Sequence, residues 1–202
     1  MTKARKPQRP SVTPTRSITS PKRRASLWSW LAIGIPVAVL VAVVAFGGGG
    51  DSGGATAVGS PAPDFDLPAT DGSRQSLDGV LAEGEALLYF SMGPGCDGCF
   101  AQIPEVEDAL AERGITLVPV MVDPAALVAA EAQRFGITRP ILIDADRSVS
   151  EAYGMVGVYG HQDRPSHSFA LVDQQGEITW VGHYAEMFLT TDRLLSDIDA
   201  PA

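Results

Sequence analysis

Runs of consecutive apolar residues recur after residue 85: residues 86–91 (ALLYFS), 115–122 (ITLVPVMV) and 140–143 (PILI), the last followed by Asp144. Uninterrupted runs of this length predict strands buried on both faces. Helical spacing of apolar residues fills the intervals at 96–113 and 124–135. Strand–helix–strand connections and a mainly parallel centre follow. A short helix is predicted at 148–153. Beyond it, two strands at 168–173 and 177–183 flank Gln174-Gln175-Gly176, the composition of a hairpin turn, and 189–198 reads as a closing helix. Ahead of the first run, 65–76 predicts two short strands folded over Asp71-Gly72. No internal repeat is present, and the fold class is α/β.

The longest apolar stretch lies apart from this pattern. Residues 27–46 (LWSWLAIGIPVAVLVAVVAF) carry no charge, and 20 residues of helix span about 30 Å, the thickness of a bilayer's hydrocarbon core. The stretch predicts a transmembrane helix with Trp28 and Trp30 at the headgroup level. Residues 1–26, the basic segment before it, are then expected in the cytoplasm and everything after Phe46 outside, a single-pass topology in the cell membrane. A cleavable signal peptide is the alternative, with Ala55-Thr56-Ala57 as the small-residue site. Residues 47–60 (GGGGDSGGATAVGS) have nothing to bury and predict a flexible tether with a reach of about 20 Å. Residues 61–202 remain as one folded domain.

Charge narrows the partners. The net charge of -9 conceals a split: Lys3, Arg5, Lys6, Arg9, Arg16, Lys22, Arg23 and Arg24 precede any acid, and seven Arg face all 24 acids in the rest. Such an acidic domain repels phosphate backbones, which argues against nucleic acid as a partner. Lys is absent after residue 22 while Ala, Gly and Arg are plentiful, which points to a GC-rich bacterial genome.

The chain has two cysteines, too few for a disulfide-dense scaffold or a four-thiolate zinc site. Cys96-Asp97-Gly98-Cys99 follows a predicted buried strand and a Gly-Pro-Gly turn, and it opens a predicted helix. Unpaired N–H groups and the positive end of the helix dipole favour thiolate there. Cys96 is the expected nucleophile. Cys99, one turn inward, is placed to attack a mixed disulfide, while the charge of Asp97 opposes thiolate formation and suggests a reducing couple. Three plainer readings stand beside this one: two inert buried thiols, a structural disulfide closing almost no loop, or a metal site completed by a distant histidine.

Four segments carry a resemblance: APDFDLPATDG (62–72), LLYFSMGPGCDGCFAQIPEVE (87–107), FGITRPILIDADRSVSEAYGMVGV (135–158) and SFALVDQQGEITWVGHY (168–184). Together they resemble a thioredoxin-fold redoxin over most of residues 61–198. They are similar both to membrane-tethered thiol:disulfide oxidoreductases and to the alkyl-hydroperoxide-reductase and thiol-specific-antioxidant type. The resemblance implies a central mixed sheet flanked by helices. It makes Cys96 the attacking and Cys99 the resolving cysteine, and Pro104 the proline that kinks the active-site helix. It also marks departures. Gly95 stands where thioredoxins carry Trp, and Tyr89 falls at or near the place of their buried acid. His167 occupies the place of the superfamily's cis-proline, with Pro165 two residues earlier. His167 is either an ordinary loop histidine or a group that tunes the thiolate or carries a proton. His161 and His183 read as surface or packing residues. The peroxidase branch needs a hydroxyl residue three positions before its cysteine, where this chain has Gly93, and an Arg nearby, for which Arg164 is the candidate.

These readings converge on a membrane-anchored extracytoplasmic thiol:disulfide oxidoreductase acting on protein disulfides or thiols. It needs no cofactor beyond the Cys96–Cys99 couple, and it needs a membrane electron-donor protein to re-reduce it. A peroxiredoxin-like thiol peroxidase is the alternative, and a copper carrier using Cys96, Cys99 and His167 is a second one.

Overall fold

The computed structural model describes residues 57–200. The expected cytoplasmic segment, the transmembrane helix and all but the end of the tether lie outside them. Among the described residues no helix is long and apolar enough to cross a membrane.

Seven strands and five helices follow in the order β1 (Asp66–Pro68), β2 (Arg74–Ser76), α1 (Leu77–Leu81), β3 (Glu85–Phe90), α2 (Asp97–Glu112), β4 (Ile115–Met121), α3 (Ala125–Arg134), β5 (Leu142–Ile143), α4 (Ser148–Ala152), β6 (His167–Val172), β7 (Ile178–Tyr184) and α5 (Thr191–Ile198). A 3-10 turn at Val158–Gly160 precedes β6. The first two strands form their own antiparallel pair, Leu67 opposite Gln75. The other five make one sheet in the order β5-β4-β3-β6-β7. Its β3–β4 and β4–β5 contacts are parallel, and its β3–β6 and β6–β7 contacts are antiparallel. The sheet is therefore mixed, as the resemblance implied, with the parallel half confined to one side of β3.

Position in the sheet explains the sequence of β3. Paired on both edges and covered on both faces, it has five consecutive residues, Ala86 to Phe90, with no exposed surface. Alternation sends Leu88 and Phe90 to a core with Phe65, Leu77, Tyr153 and Met155, and Leu87 and Tyr89 to a second core with Phe100, Ile103, Leu110 and Phe169. Pro119 sits within β4 although it has no N–H to donate; β5 pairs with β4 only from Val120 onward, one residue past it.

Two local features differ from the reading of the sequence. Helix α1 was not foreseen, because five residues are too few for a periodic signal; Ser76 caps it by accepting the Gly79 N–H at 3.1 Å. Gly59 and Ser60, expected in the tether, are already bonded to β7: the Gly59 N–H donates to the Ile178 carbonyl at 2.7 Å, and the Ile178 N–H to the Ser60 carbonyl at 2.9 Å.

Candidate active site

Loops at the carboxyl ends of β3 and β4 meet, as is usual for sites in open α/β sheets. Chain leaving β3 passes through Ser91-Met92-Gly93-Pro94-Gly95 before α2 begins. Gly93 and Gly95 have φ of +80° and +98°, a backbone that residues with a Cβ rarely adopt. The sharp turn they make delivers Cys96 to the helix N-cap. A Trp at position 95, the thioredoxin residue, would be strained by the backbone itself even though the space beside Gly95 is open.

Cys96 and Cys99 form a disulfide with their Cα atoms 5.3 Å apart. The Cys99 N–H donates to Cys96 Sγ at 3.2 Å, and the Cys96 N–H to the Gly93 carbonyl at 3.2 Å. Exposure separates the sulfurs: Cys96 retains 8% of its surface and Cys99 none. Asp97, between them, is turned to solvent with Arg134 at 3.9 Å.

Beneath the disulfide lies an aromatic cluster. Tyr89 stacks on Phe169 with centroids 4.6 Å apart and donates its hydroxyl to the Cys99 carbonyl at 3.2 Å. Burial pushes its pKa up, so a neutral phenol stands where the resemblance leads one to look for an acid; the nearby Ser91 hydroxyl opposes the shift slightly. His167 opens β6 and is fully buried, with its ring 5.0 Å from Tyr89, 5.2 Å from Phe169 and 6.4 Å from Tyr184. Neither of its ring nitrogens makes a hydrogen bond of good geometry. Burial pushes its pKa down to about 4, against a weak opposing pull from the Met187 backbone. It is a core residue of the site, not a loop histidine.

The other expected residues divide. Pro165 is buried and bridges Val156 just ahead of β6, and every peptide bond among the described residues is trans. Pro104 lies on the solvent face of α2, eight residues or about 12 Å of helix beyond Cys96, and the helix runs through it unbroken. His161 is half-buried. His183 is exposed except at Nδ1, which pairs with the Ser168 hydroxyl at 2.9 Å. Among the described residues no three His, Cys, Asp or Glu side chains converge as a metal site would need, which leaves the copper reading without a ligand set.

Several contacts went unforeseen. Arg164 grips Asp123 with two nitrogens at 2.8 and 3.0 Å and donates to the Met92 carbonyl at 2.8 Å, joining the loops after β3 and β4 to the one before β6. The Asp123 carboxylate occupies the space beside Gly93: a Cβ there would lie 2.5 Å from Oδ2. Gln102, wholly buried on α2, exchanges hydrogen bonds with both backbone groups of Leu189, at 2.6 and 3.1 Å. That clamp holds the segment after β7 against the second turn of α2. The position of Asp123 just past a strand run was the one available signal; nothing in the sequence marks Gln102.

A family profile described as Redoxin matches residues 57–188. The thiol-disulfide oxidoreductase ResA of Geobacillus thermodenitrificans (strain NG80-2) is 34% identical over 128 residues, 61% of this chain and 68% of that protein. A putative peroxiredoxin of Coxiella burnetii is 27% identical over 144 residues, 64% of this chain and 95% of that one. Among solved structures, peroxidoxin BcpB from Mycobacterium tuberculosis superposes with a TM-score of 0.60 at 24% identity, over 70% of this chain and 95% of that one, which supports the fold. With its mixed sheet, its cysteine pair at the start of α2 and a family match over most of the described residues, this chain belongs to the redoxin family.

Proposed function

We propose that this redoxin is a thiol:disulfide oxidoreductase in which Cys96 attacks and Cys99 resolves. The observation that carries the reading is the unequal exposure of two bonded cysteines at a helix start, Cys96 keeping a small opening to solvent and Cys99 sealed. In the reduced protein the Cys96 thiolate attacks a client disulfide, forming a Cys96–client disulfide and releasing one client thiolate, which takes up a proton. Cys99 sulfur then attacks Cys96 Sγ; the mixed disulfide breaks, the Cys96–Cys99 bond forms, and the second client sulfur leaves with the electron pair. The client is reduced by two electrons and the protein oxidised by two. The dithiol holds both, so no organic cofactor is needed.

The uncharged stretch at 27–46, flanked by basic residues before it, supports an anchor with the redox domain outside the cytoplasm. Re-reduction there falls to a membrane electron-donor protein, and tethering raises the effective concentration of that donor and of membrane-bound clients. The similarity to the thiol-disulfide oxidoreductase ResA supports a thiol–disulfide exchange reaction.

Peroxidase activity is the second reading, favoured by the peroxiredoxin relatives and by Arg164 bonding the loop that leads to Cys96. Two features weigh against it: position 93 has no hydroxyl, and the Arg164 charge is matched by Asp123.

Trapping tests the proposal. Cys99→Ser should accumulate a mixed disulfide with a protein client, seen as a dithiothreitol-sensitive band on non-reducing gels, and Cys96→Ser should not. Absence of any trapped species together with rapid peroxide consumption would favour the second reading.

A further inference from the structure

A fully buried imidazole with two idle nitrogens is costly in a folded protein and calls for a reason. His167 is such a group. It lies in the cluster that supports the resolving cysteine: its ring packs on Tyr89, whose hydroxyl bonds the Cys99 carbonyl, and the Met187 backbone that borders it also presses on Gly98 between the two cysteines.

Resting on the dithiol reading above, we propose that His167 is the proton-holding residue of the resolving step, receiving the proton that the Cys99 thiol must shed before its sulfur can attack Cys96. A sealed thiol resists ionising, because burial disfavours the thiolate. It therefore needs a base within the protein. The titratable groups packed on the ring are Tyr89 from β3 and Tyr184 from β7. Tyr89 is itself held neutral, and the Tyr184 hydroxyl is committed to Asp197. The Met187 backbone after β7 completes the surroundings without a fixed charge, and Cys99 of α2 is joined to them through the Tyr89 hydroxyl that bonds its carbonyl. The carboxylates of the neighbouring loops are engaged elsewhere, Asp97 in solvent beside Arg134 and Asp123 with Arg164. In the oxidised protein His167 is an unoccupied acceptor, since burial keeps it neutral. Once Cys99 is a thiolate, its charge favours the imidazolium, so the two groups share one proton and titrate together. As the Cys96–Cys99 bond forms, that attraction disappears; His167 releases the proton, which ends on the departing client thiolate by way of solvent.

The test uses the reduced full chain and 5,5′-dithiobis(2-nitrobenzoate). Attack by Cys96 releases one thionitrobenzoate, and resolution by Cys99 releases the second, so the two steps are read separately. His167→Phe and His167→Asn should lower the ratio of the second rate to the first by about a hundredfold or more, the usual worth of a positioned base. Histidine NMR on the unsubstituted chain needs no variant to fold: the His167 signal should titrate at higher pH in the reduced protein than in the oxidised one, and in Cys99→Ala, which lacks the resolving thiol, it should titrate where the oxidised protein's does. An unchanged rate ratio, or one titration midpoint in both redox states, would overturn the assignment. Failure of the first release would instead overturn the dithiol reading on which it rests.

Discussion

Gly98 and Met187 meet backbone to backbone: a Cβ built on Gly98 lies 2.7 Å from the Met187 carbonyl oxygen and 3.3 Å from its Cβ. The first turn of α2 and the segment after β7 can approach this closely only because position 98 has no side chain. Gly98→Ala should force them apart and cost about 1–3 kcal/mol, the usual penalty of overpacking. Urea unfolding of the oxidised protein measures it. Helix propensity alone would make the change stabilising by up to about 1 kcal/mol, so a raised midpoint would show that the contact yields easily.

The same segment is fastened on its far side by Gln102. Gln102→Leu keeps the volume but strands the N–H and C=O of Leu189 in a buried site. Each stranded group costs about 1–3 kcal/mol. The variant should unfold at distinctly lower urea concentration, and hydrogen exchange at the Leu189 amide should accelerate relative to amides of β3. Equal protection in the two proteins would mean that the clamp contributes little.

How far the sequence foretold this arrangement depended on whether a feature was local. β3 and β4 were legible because burial on both faces demands uninterrupted apolar runs, and the cysteine pair because strand, turn and helix follow one another within a few residues. The resemblance assigns Tyr89 and His167 their positions but says nothing of their burial or their contact. The pairing of Asp123 with Arg164 spans 41 residues and that of Gln102 with Leu189 spans 87, and no spacing rule connects residues so far apart. Gly95 shows the converse: its departure from the thioredoxin pattern is explained by a left-handed backbone that exists only in the folded chain.

Burial of neutral His167 makes the oxidised protein's stability depend on pH. The folded-state value of about 4 lies below the 6.5 of the unfolded chain, so between those values the unfolded state binds the extra proton. Stability from this residue is fully present above about pH 6.5, declines as the pH falls through that window and levels off near pH 4. The total loss is on the order of 3 kcal/mol, from the size of the shift. As the pH falls from 7.5 to 4, the unfolding free energy of the oxidised protein should drop by about that amount relative to that of oxidised His167→Phe. A constant difference across the range would mean that His167 is protonated inside the fold, or free to reach solvent.

Position 93 offers a test of specificity between the two redoxin chemistries. Restoring the hydroxyl that the peroxidase branch carries, by Gly93→Thr, meets two obstacles at once. The backbone has φ +80°, which a β-branched residue tolerates poorly, and the new Cβ would sit 2.5 Å from Asp123 Oδ2. The expected outcome is a destabilisation of about 1–3 kcal/mol with no gain in peroxide turnover, because relieving the clash requires Asp123 to shift and with it the Arg164 contact to the Met92 carbonyl. Adding Asp123→Gly removes the clashing carboxylate and frees Arg164, leaving only the backbone strain. If peroxide consumption, followed in a coupled thiol assay, rises in the double variant above both singles, the Asp123 carboxylate is what bars peroxide chemistry from Cys96. A single Gly93→Thr variant that already reduces peroxide rapidly would show that the ion pair is no barrier.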